Sequence, residues 1–376
     1  FMGDSSDGQN TVVRLHVVQA DYGDSLILEY GQAAAPRFML IDGGPPGVYS
    51  AHLKPALREL ALDGAALDEI LLTHVDEDHV AGLVDLAYDL VEAQEQNGAP
   101  LIPVRALWYN TFRQALGLPD VAYSQFQDFL AAPAPDDGIN PVAFSIAQGE
   151  LLLEAARALG MPVNPGFAGG VVQLQSAPQM LPVDGARLWV LGPRAQNLER
   201  LKKDWLKWYE NRKKKPGFGS GALRAARAID RAVANRSSII LLAEGGGRRI
   251  LLTGDAHGDD ILSALKQAGL TDSQGRLHVD VLKVQHHGSL RNASPEFFQQ
   301  LTADVYVISA NKHGHDGNPD LETLNWILDA PRPNGRMRMV ATNLTPNLKK
   351  IKRRIKKEKI PCELVVLTAG QHSIRL

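Results

Sequence analysis

The stretch Leu71-Leu72-Thr73-His74-Val75-Asp76-Glu77-Asp78-His79 decides the reading of this chain. An apolar run, Ile70 to Leu72, leads into four potential metal ligands, His74, Asp76, Asp78 and His79, packed within six positions. A strand ending in a tight loop points several such side chains at one point in space. Imidazole nitrogen and carboxylate oxygen together suit Zn²⁺, and carboxylate-rich sets also suit Mn²⁺. A plainer alternative is a polar strand-to-helix turn in which Asp78 caps the next helix. Two histidines and two aspartates at this spacing favour the ligand loop.

Three later segments repeat the arrangement. Leu251-Leu252-Thr253-Gly254-Asp255 puts a carboxylate after an apolar strand and a glycine turn, where a bridging ligand is useful. Gln285-His286-His287-Gly288-Ser289 again follows an apolar strand. Adjacent histidines there point different ways, so one of His286 and His287 is expected to bind metal and the other to face substrate. Asn311-Lys312-His313-Gly314-His315 follows the predicted strand Val305 to Ser309. All four clusters lie at C-terminal ends of predicted strands, where open sheets hold their ligands.

Outward from these clusters, strands are predicted over Val12–Val18, Ser25–Tyr30, Arg37–Ile41 and Val104–Tyr109, with a helix over His52–Leu62 and another from the ligand loop to about Gln94. The pattern weakens from Arg113 to Gly185, where a helix over Gly149–Leu159 stands out. A second strand-rich half follows: Arg187–Leu191, a hairpin of Ser237–Ala243 and Arg249–Thr253 across Glu244-Gly245-Gly246-Gly247, a helix over Gly258–Gly269, then Val279–Val284, Asp304–Ser309, Met337–Ala341 and Glu363–Leu367. Two such halves predict an α+β protein of two mixed β-sheets flanked by helices. We expect a flexible tail over residues 1–10 and a single domain over 11–376, with insertions at about 113–185 and 195–234.

Length and composition fit this. A chain of 376 residues with 44% apolar and 22% charged residues can bury a large core. Cys362 is the only cysteine, which excludes a disulfide within the chain and fits a reducing compartment. No apolar run nears the roughly 20 residues needed to span a bilayer. The first nine residues lack the basic and apolar regions of a signal peptide. The expectation is a soluble, cytoplasmic protein without membrane partners.

Taken in order, the Thr-His-x-Asp-x-Asp-His run, the Thr-Gly-Asp, the His-His-Gly-Ser and the Gly-His segment resemble the metallo-β-lactamase fold, an αββα sandwich. Within it, Asn235-Arg236-Ser237-Ser238 and Leu282-Lys283-Val284-Gln285-His286-His287-Gly288-Ser289 are similar to the nuclease-like domain of ComEC-type competence proteins. The resemblance covers about 11–110 and 187–316 plus the closing strands. It implies a first metal site with His74 and Asp76, and a second with Asp78, His79 and one of His286 and His287. Asp255 would bridge, and Asp42 would brace the ligand loop through hydrogen bonds. One departure stands out. The wider fold supplies another first-site histidine before the bridging acid, and this chain has none between His79 and His257. The first site is therefore expected to be under-liganded, binding metal weakly, preferring Mn²⁺ over Zn²⁺, or filling only with substrate.

One or two divalent ions there, about 3.5–4 Å apart if both bind, would lower the pKa of a bound water and supply a hydroxide. Asp78 would accept a proton, and His287 or His315 would protonate the leaving oxygen. Lys312, His313 and Ser289 would contact substrate. Two basic stretches suggest nucleic acid. Lys349 to Lys359 reads as an amphipathic helix with Lys349, Lys350, Lys352, Arg353 and Lys356 on its outer face. Lys202 to Lys215, which includes Lys213 and Lys214, interleaves basic residues with Trp205, Trp208 and Tyr209, as if to stack on bases. The leading expectation is a metal-dependent phosphodiesterase cutting DNA or RNA, with a partner protein conceivable but unidentified. The alternatives are a small ester, lactone or cyclic-nucleotide hydrolase, and an inactive metal-binding recognition module.

Overall fold

A computed structural model describes residues 10–110, 141–176, 179–213, 231–309, 317–368 and 370–376, without the side chains of 141–147, 207–213 and 231–233. Strand patterning sets the architecture. In β1 (Thr11–Val18), Val13, Leu15 and Val17 are buried while Val12, Arg14 and His16 lie half-buried on the other face, the period-2 signature of a strand. β1 pairs antiparallel with β2 (Leu26–Gln32), and β2 with β3 (Arg37–Ile41). β4 (Leu67–Leu71) and β5 (Leu107–Trp108) continue this sheet in parallel.

The second sheet opens with an antiparallel run, β6 (Gln179–Val183), β7 (Ala186–Gly192), β8 (Ile240–Gly245) and β9 (Arg248–Leu252). β10 (Leu277–Lys283), β11 (Leu301–Ile308), β12 (Met337–Ala341) and β13 (Cys362–Val366) then run parallel to β9. β14 (Ser373–Arg375) returns to the first sheet as its edge, beside β1.

Three cores bind four layers. Val13, Leu15, Leu28 and Met39 from one sheet meet Leu188, Leu241, Val281 and Val307 from the other. Each such side chain contributes about 1.5–3 kcal/mol on burial. Helices α1 (Lys54–Leu62), α2 (Glu77–Glu95) and α3 (Pro141–Ala158) cover the first sheet; α4 (Ala195–Lys213) adds Leu201 and Trp205 to that core. After the short α5 (Arg231–Arg236), helices α6 (Gly258–Gln267), α7 (Pro295–Gln300), α8 (Leu321–Leu328) and α9 (Pro346–Glu358) cover the second sheet. Among the described residues no helix is long and apolar enough to cross a membrane.

Several sequence expectations shift. The strand expected over Val104–Tyr109 shrinks to two residues, because Val104 makes only an isolated bridge to Leu67. The helix expected from His52 starts at Lys54, after a wider turn over Tyr49–Leu53. β6 was hidden by Pro182, and it is an edge strand, where a missing N–H costs least. Trp205 was expected to offer a stacking surface. It is 2% exposed in the first core, one turn from Leu201, so the aromatic belongs to a buried helical stripe.

Candidate metal centre

The parallel strands deliver the site. The loops after β3, β4, β9, β10 and β11 converge at one end of the two sheets, carrying Asp42, His74 to His79, Asp255, His286 and His287, and Ser309. Close backbone approach fixes how the first loop enters α2. A Cβ on Gly43 would lie 2.2 Å from the Leu83 nitrogen, and one on Gly82 would lie 2.0 Å from the Gly43 oxygen. No other residue permits that contact. Asp76 occupies the position that caps α2, yet its side chain makes no capping bond, and its Oδ2 lies 3.7 Å from His74 Nε2.

Asp255 is the hub. Its Oδ1 lies 3.5 Å from His79 Nε2 and 3.7 Å from His287 Nε2. Its Oδ2 lies 3.8 Å from His74 Nε2 and 3.6 Å from His286 Nε2. Asp78 Oδ2 closes the first group, 3.3 Å from His287 Nε2 and 3.9 Å from His79 Nε2. These separations are long for hydrogen bonds and match two donors sharing one ion at about 2.0–2.2 Å each. The Nε2 atoms of His74, His79 and His287 and Oδ1 of Asp255 are buried and have no hydrogen-bond partner. Buried orphans of this kind are costly unless something ligates them. The residues therefore fit a divalent cation. His74, His79 and Asp255, and separately Asp78, His79 and His287, each gather ligand atoms within 4.8 Å of one another.

Both paired histidines turn inward. His286 and His287 take left-handed backbone, φ 46° and 54°, uncommon for side chains with a Cβ. That twist turns both Nε2 atoms toward Asp255, at 3.6 Å for His286 and 3.7 Å for His287, with His287 buried and His286 still 24% exposed. Ser289, expected to contact substrate, is 5% exposed and uses its backbone N–H on the His286 carbonyl. His313, His315, Lys312 and Lys214 lie outside the described residues, as does the side chain of Lys213.

Braces lie behind the ligands. Asp42 accepts from the Thr73 N–H at 2.8 Å, the Thr73 hydroxyl at 2.7 Å and His79 Nδ1 at 2.8 Å. The Thr73 hydroxyl in turn accepts from His74 Nδ1 at 3.1 Å. One buried carboxylate thus orients two imidazoles, one directly and one through a hydroxyl. Three braces were missed in the sequence. Asp24 lies 3.5 Å from His287 Nδ1 and is held by Ser309 Oγ at 2.6 Å and the fully buried Lys283 at 2.6 Å. Asn292 Oδ1 accepts from His286 Nδ1 at 2.6 Å, while its amide donates to the Asp255 carbonyl. Asn235 Nδ2 lies 3.2 Å from the same His286 Nδ1. A lysine ending the apolar strand β10 was the available clue to the first of these.

For five of these groups, Asp24, Asp78, His79, Asp255 and His287, burial works against charge and mutual attraction outweighs it. Against burial, Asp255, Asp42 and Asp78 hold the His79 imidazole well above its ordinary range. Against burial, Asp255 and Asp24 push His287 up to about 9. Conversely, despite burial, the imidazoles of His286, His287 and His79 hold Asp255 well below the usual carboxylate range. His79 and His287 likewise lower Asp78, and Lys283 lowers Asp24.

The two mixed sheets with flanking helices have the metallo-β-lactamase fold, and residues 37–174 match the family described as the metallo-beta-lactamase superfamily. Over 100 residues the chain is 35% identical to ComE operon protein 3 of Bacillus subtilis (strain 168). That match covers 27% of this chain and only 12% of the length of that protein. Among solved structures, the metallo-beta-lactamase fold protein YhfI from Bacillus subtilis aligns at a TM-score of 0.37 and 11% identity, covering 97% of this chain and 99% of that one. Zn²⁺-bound PqqB from Methylobacterium extorquens aligns at 0.38 and 10%, covering 96% and 99%. A diphosphatase of the PhnP family aligns at 0.38 and 11%, covering 96% and 97%.

Proposed function

We propose that this protein is a metal-dependent phosphodiesterase acting on nucleic acid, of the ComEC-type branch of its fold. The observation that carries the reading is the Asp255 carboxylate set among four imidazole Nε2 atoms, with its two oxygens turned to different pairs. Asp78, His79, His287 and Asp255 Oδ1 would hold one ion; His74, Asp76, His286 and Asp255 Oδ2 would hold a second. A divalent cation so held supplies a Lewis acid and a water of lowered pKa.

The chain's own groups do the rest. Asp76, Asp78 and His286 keep 29%, 24% and 24% of their side chains exposed, while His74, His79 and Asp255 are buried. The centre is therefore open on the side of the first three, where a substrate enters. Asp78 stands there to take a proton from the attacking water. Asp42, Asp24 and Asn292 keep the imidazoles turned inward throughout.

Charge supports a polyanionic substrate. In α9, Leu348 and Ile351 are buried, and Lys349, Lys350, Lys352, Arg353 and Lys356 are exposed on the outer face. Its first turn lies by the centre: Asn347 Nδ2 donates to the Pro319 carbonyl, and Asp320 N–H donates to the Gly288 carbonyl of the histidine loop. A cationic face leading to a dimetal-type centre suits a phosphate backbone. The test is cleavage of single- and double-stranded DNA and RNA with Mn²⁺, Zn²⁺ or Mg²⁺. Wild type is expected to cut only with metal, and Asp78→Ala not to cut. Absence of cleavage with every metal would refute the reading.

A further inference from the structure

A second cationic cluster adjoins the centre on the His286 side, and the ligand set leaves it unused. Arg194 follows the end of β7, Arg236 precedes β8, and His257 caps α6. Because β7 runs antiparallel to β8, and β9 parallel to β10, these three positions share the end of the sheet that carries the metal ligands. Arg236 Nη1 donates to Asp260 Oδ2 at 2.6 Å, and its Nη2 lies 3.0 Å from His257 Nδ1. With Nδ1 accepting from a guanidinium, His257 carries its proton on Nε2 and offers it as a donor. Arg194 Nε lies 3.9 Å from Asp260 Oδ1, and its Nε and Nη2 are buried without any hydrogen-bond partner.

Two guanidiniums thus share one buried carboxylate. Asp259, the next acid on α6, is exposed and lines a separate groove with Lys266 and Arg276. The surplus positive charge sits beside the N-termini of α4 and α6, whose dipoles also favour an anion. The path to the centre is short. Asn235, the neighbour of Arg236, lies 3.2 Å from His286 Nδ1, and His257 is two residues from Asp255.

We infer that Arg194, Arg236 and His257 form a phosphate-binding subsite for a second phosphate of the substrate, on the His286 side of the centre. The inference rests on the phosphodiesterase reading and narrows it. The substrate carries at least two phosphates, one at the metal ligands and one on the guanidinium forks, whose paired N–H groups match phosphate oxygens. A simple carboxyl ester or lactone has no group to fill the second position.

Among the described residues the Arg194 side chain makes no hydrogen bond, and its carbonyl bonds to Asn197 and Leu198 do not depend on the side chain, so Arg194→Gln removes the fork without dismantling the fold. The probe is inorganic phosphate, titrated calorimetrically at low salt into the full chain held in EDTA, with circular dichroism confirming the fold of each variant. Wild type is expected to bind phosphate, Arg194→Gln to bind at least about tenfold more weakly, and Arg194→Lys to recover part of the loss. Arg105→Gln, beside Asp68 at the start of β4 and so at the end of the first sheet away from the ligands, is expected to leave phosphate affinity unchanged. Equal affinity in wild type and Arg194→Gln, or no phosphate binding by wild type, would overturn the subsite. Phosphate binding as expected in a protein that cleaves no nucleic acid would refute the phosphodiesterase reading and leave the subsite standing. Cleavage by wild type, with phosphate affinity indifferent to Arg194, would do the reverse.

Discussion

The two halves of the Asp255 centre are built differently. On the Oδ1 side, His79 donates to the buried carboxylate of Asp42 at 2.8 Å, and His287 lies 3.5 Å from that of Asp24, an ionic rather than hydrogen-bond separation; both imidazole side chains are nearly inaccessible. On the Oδ2 side, His74 is backed by the hydroxyls of Thr73 and Ser238, and His286 by the amide oxygen of Asn292. Each side keeps one partly exposed acid, Asp78 on the Oδ1 side and Asp76 on the Oδ2 side, but only the Oδ2 side has a partly exposed imidazole, that of His286. A carboxylate behind Nδ1–H fixes the tautomer and raises the basicity of Nε2 more than a neutral acceptor does. The difference leads us to expect a tight, preorganised cation position in the Oδ1 half and an adjustable one in the Oδ2 half.

The comparison breaks most sharply at Lys283. Lys283→Met leaves the Asp24 carboxylate buried without its cation, and the expected cost is about 3–5 kcal/mol in urea unfolding. Adding Asp24→Leu to that variant is expected to restore much of the stability, since an apolar pair can replace a buried ion pair. Metal affinity on the Oδ1 side should nevertheless stay low in the double variant, because His287 has lost the carboxylate 3.5 Å from its Nδ1. If affinity recovered together with stability, Asp24 would be only a structural partner.

Next in size is the brace at Asp42. Asp42→Ala is expected to lower metal affinity by about 10–100-fold. Ser238→Ala, which removes the hydroxyl 3.4 Å from His74 Nδ1, should cost about 1 kcal/mol or less. Equal effects of the two substitutions, read by metal titration, would erase the asymmetry. Smallest is the effect of an acid outside the centre. Burial raises the Glu29 pKa, but His16, Arg375 and Arg14 overcome this and hold it below its ordinary value of 4.5. A depressed acid stabilises the fold above its unfolded pKa and loses that contribution as pH falls through the folded pKa. Glu29→Gln should therefore lower Tm slightly near neutral pH and leave it unchanged well below pH 4.5. The same variant should leave metal affinity untouched.

How much was legible follows from where each signal lies. The first ligand loop could be read because its four donors are close in sequence and follow a buried strand. Asp255 and the histidine pair could be read for the same reason, each after an apolar run. The braces could not, because Asp24, Ser238 and Asn292 become meaningful only once the two sheets are packed face to face. Lys283 carried a clue, a charge following the apolar pair Val281-Leu282 at the buried end of its strand. The expected shortage of ligands on the first side came from looking for a histidine between His79 and His257. His286 Nε2 lies 3.6 Å from Asp255 Oδ2, on that side, and its left-handed backbone beside His287 puts it there. β14, three residues long, had too little pattern to be seen.

The central claim is that one carboxylate separates a tight cation position from a looser one. Anomalous diffraction from crystals soaked at stepped Mn²⁺ concentrations tests it directly. The account predicts a first peak among Asp78, His79, His287 and Asp255, and a second, at higher concentration, among His74, Asp76, His286 and Asp255. A single peak on the His74 side, or no ion touching Asp255 at any concentration, would contradict it.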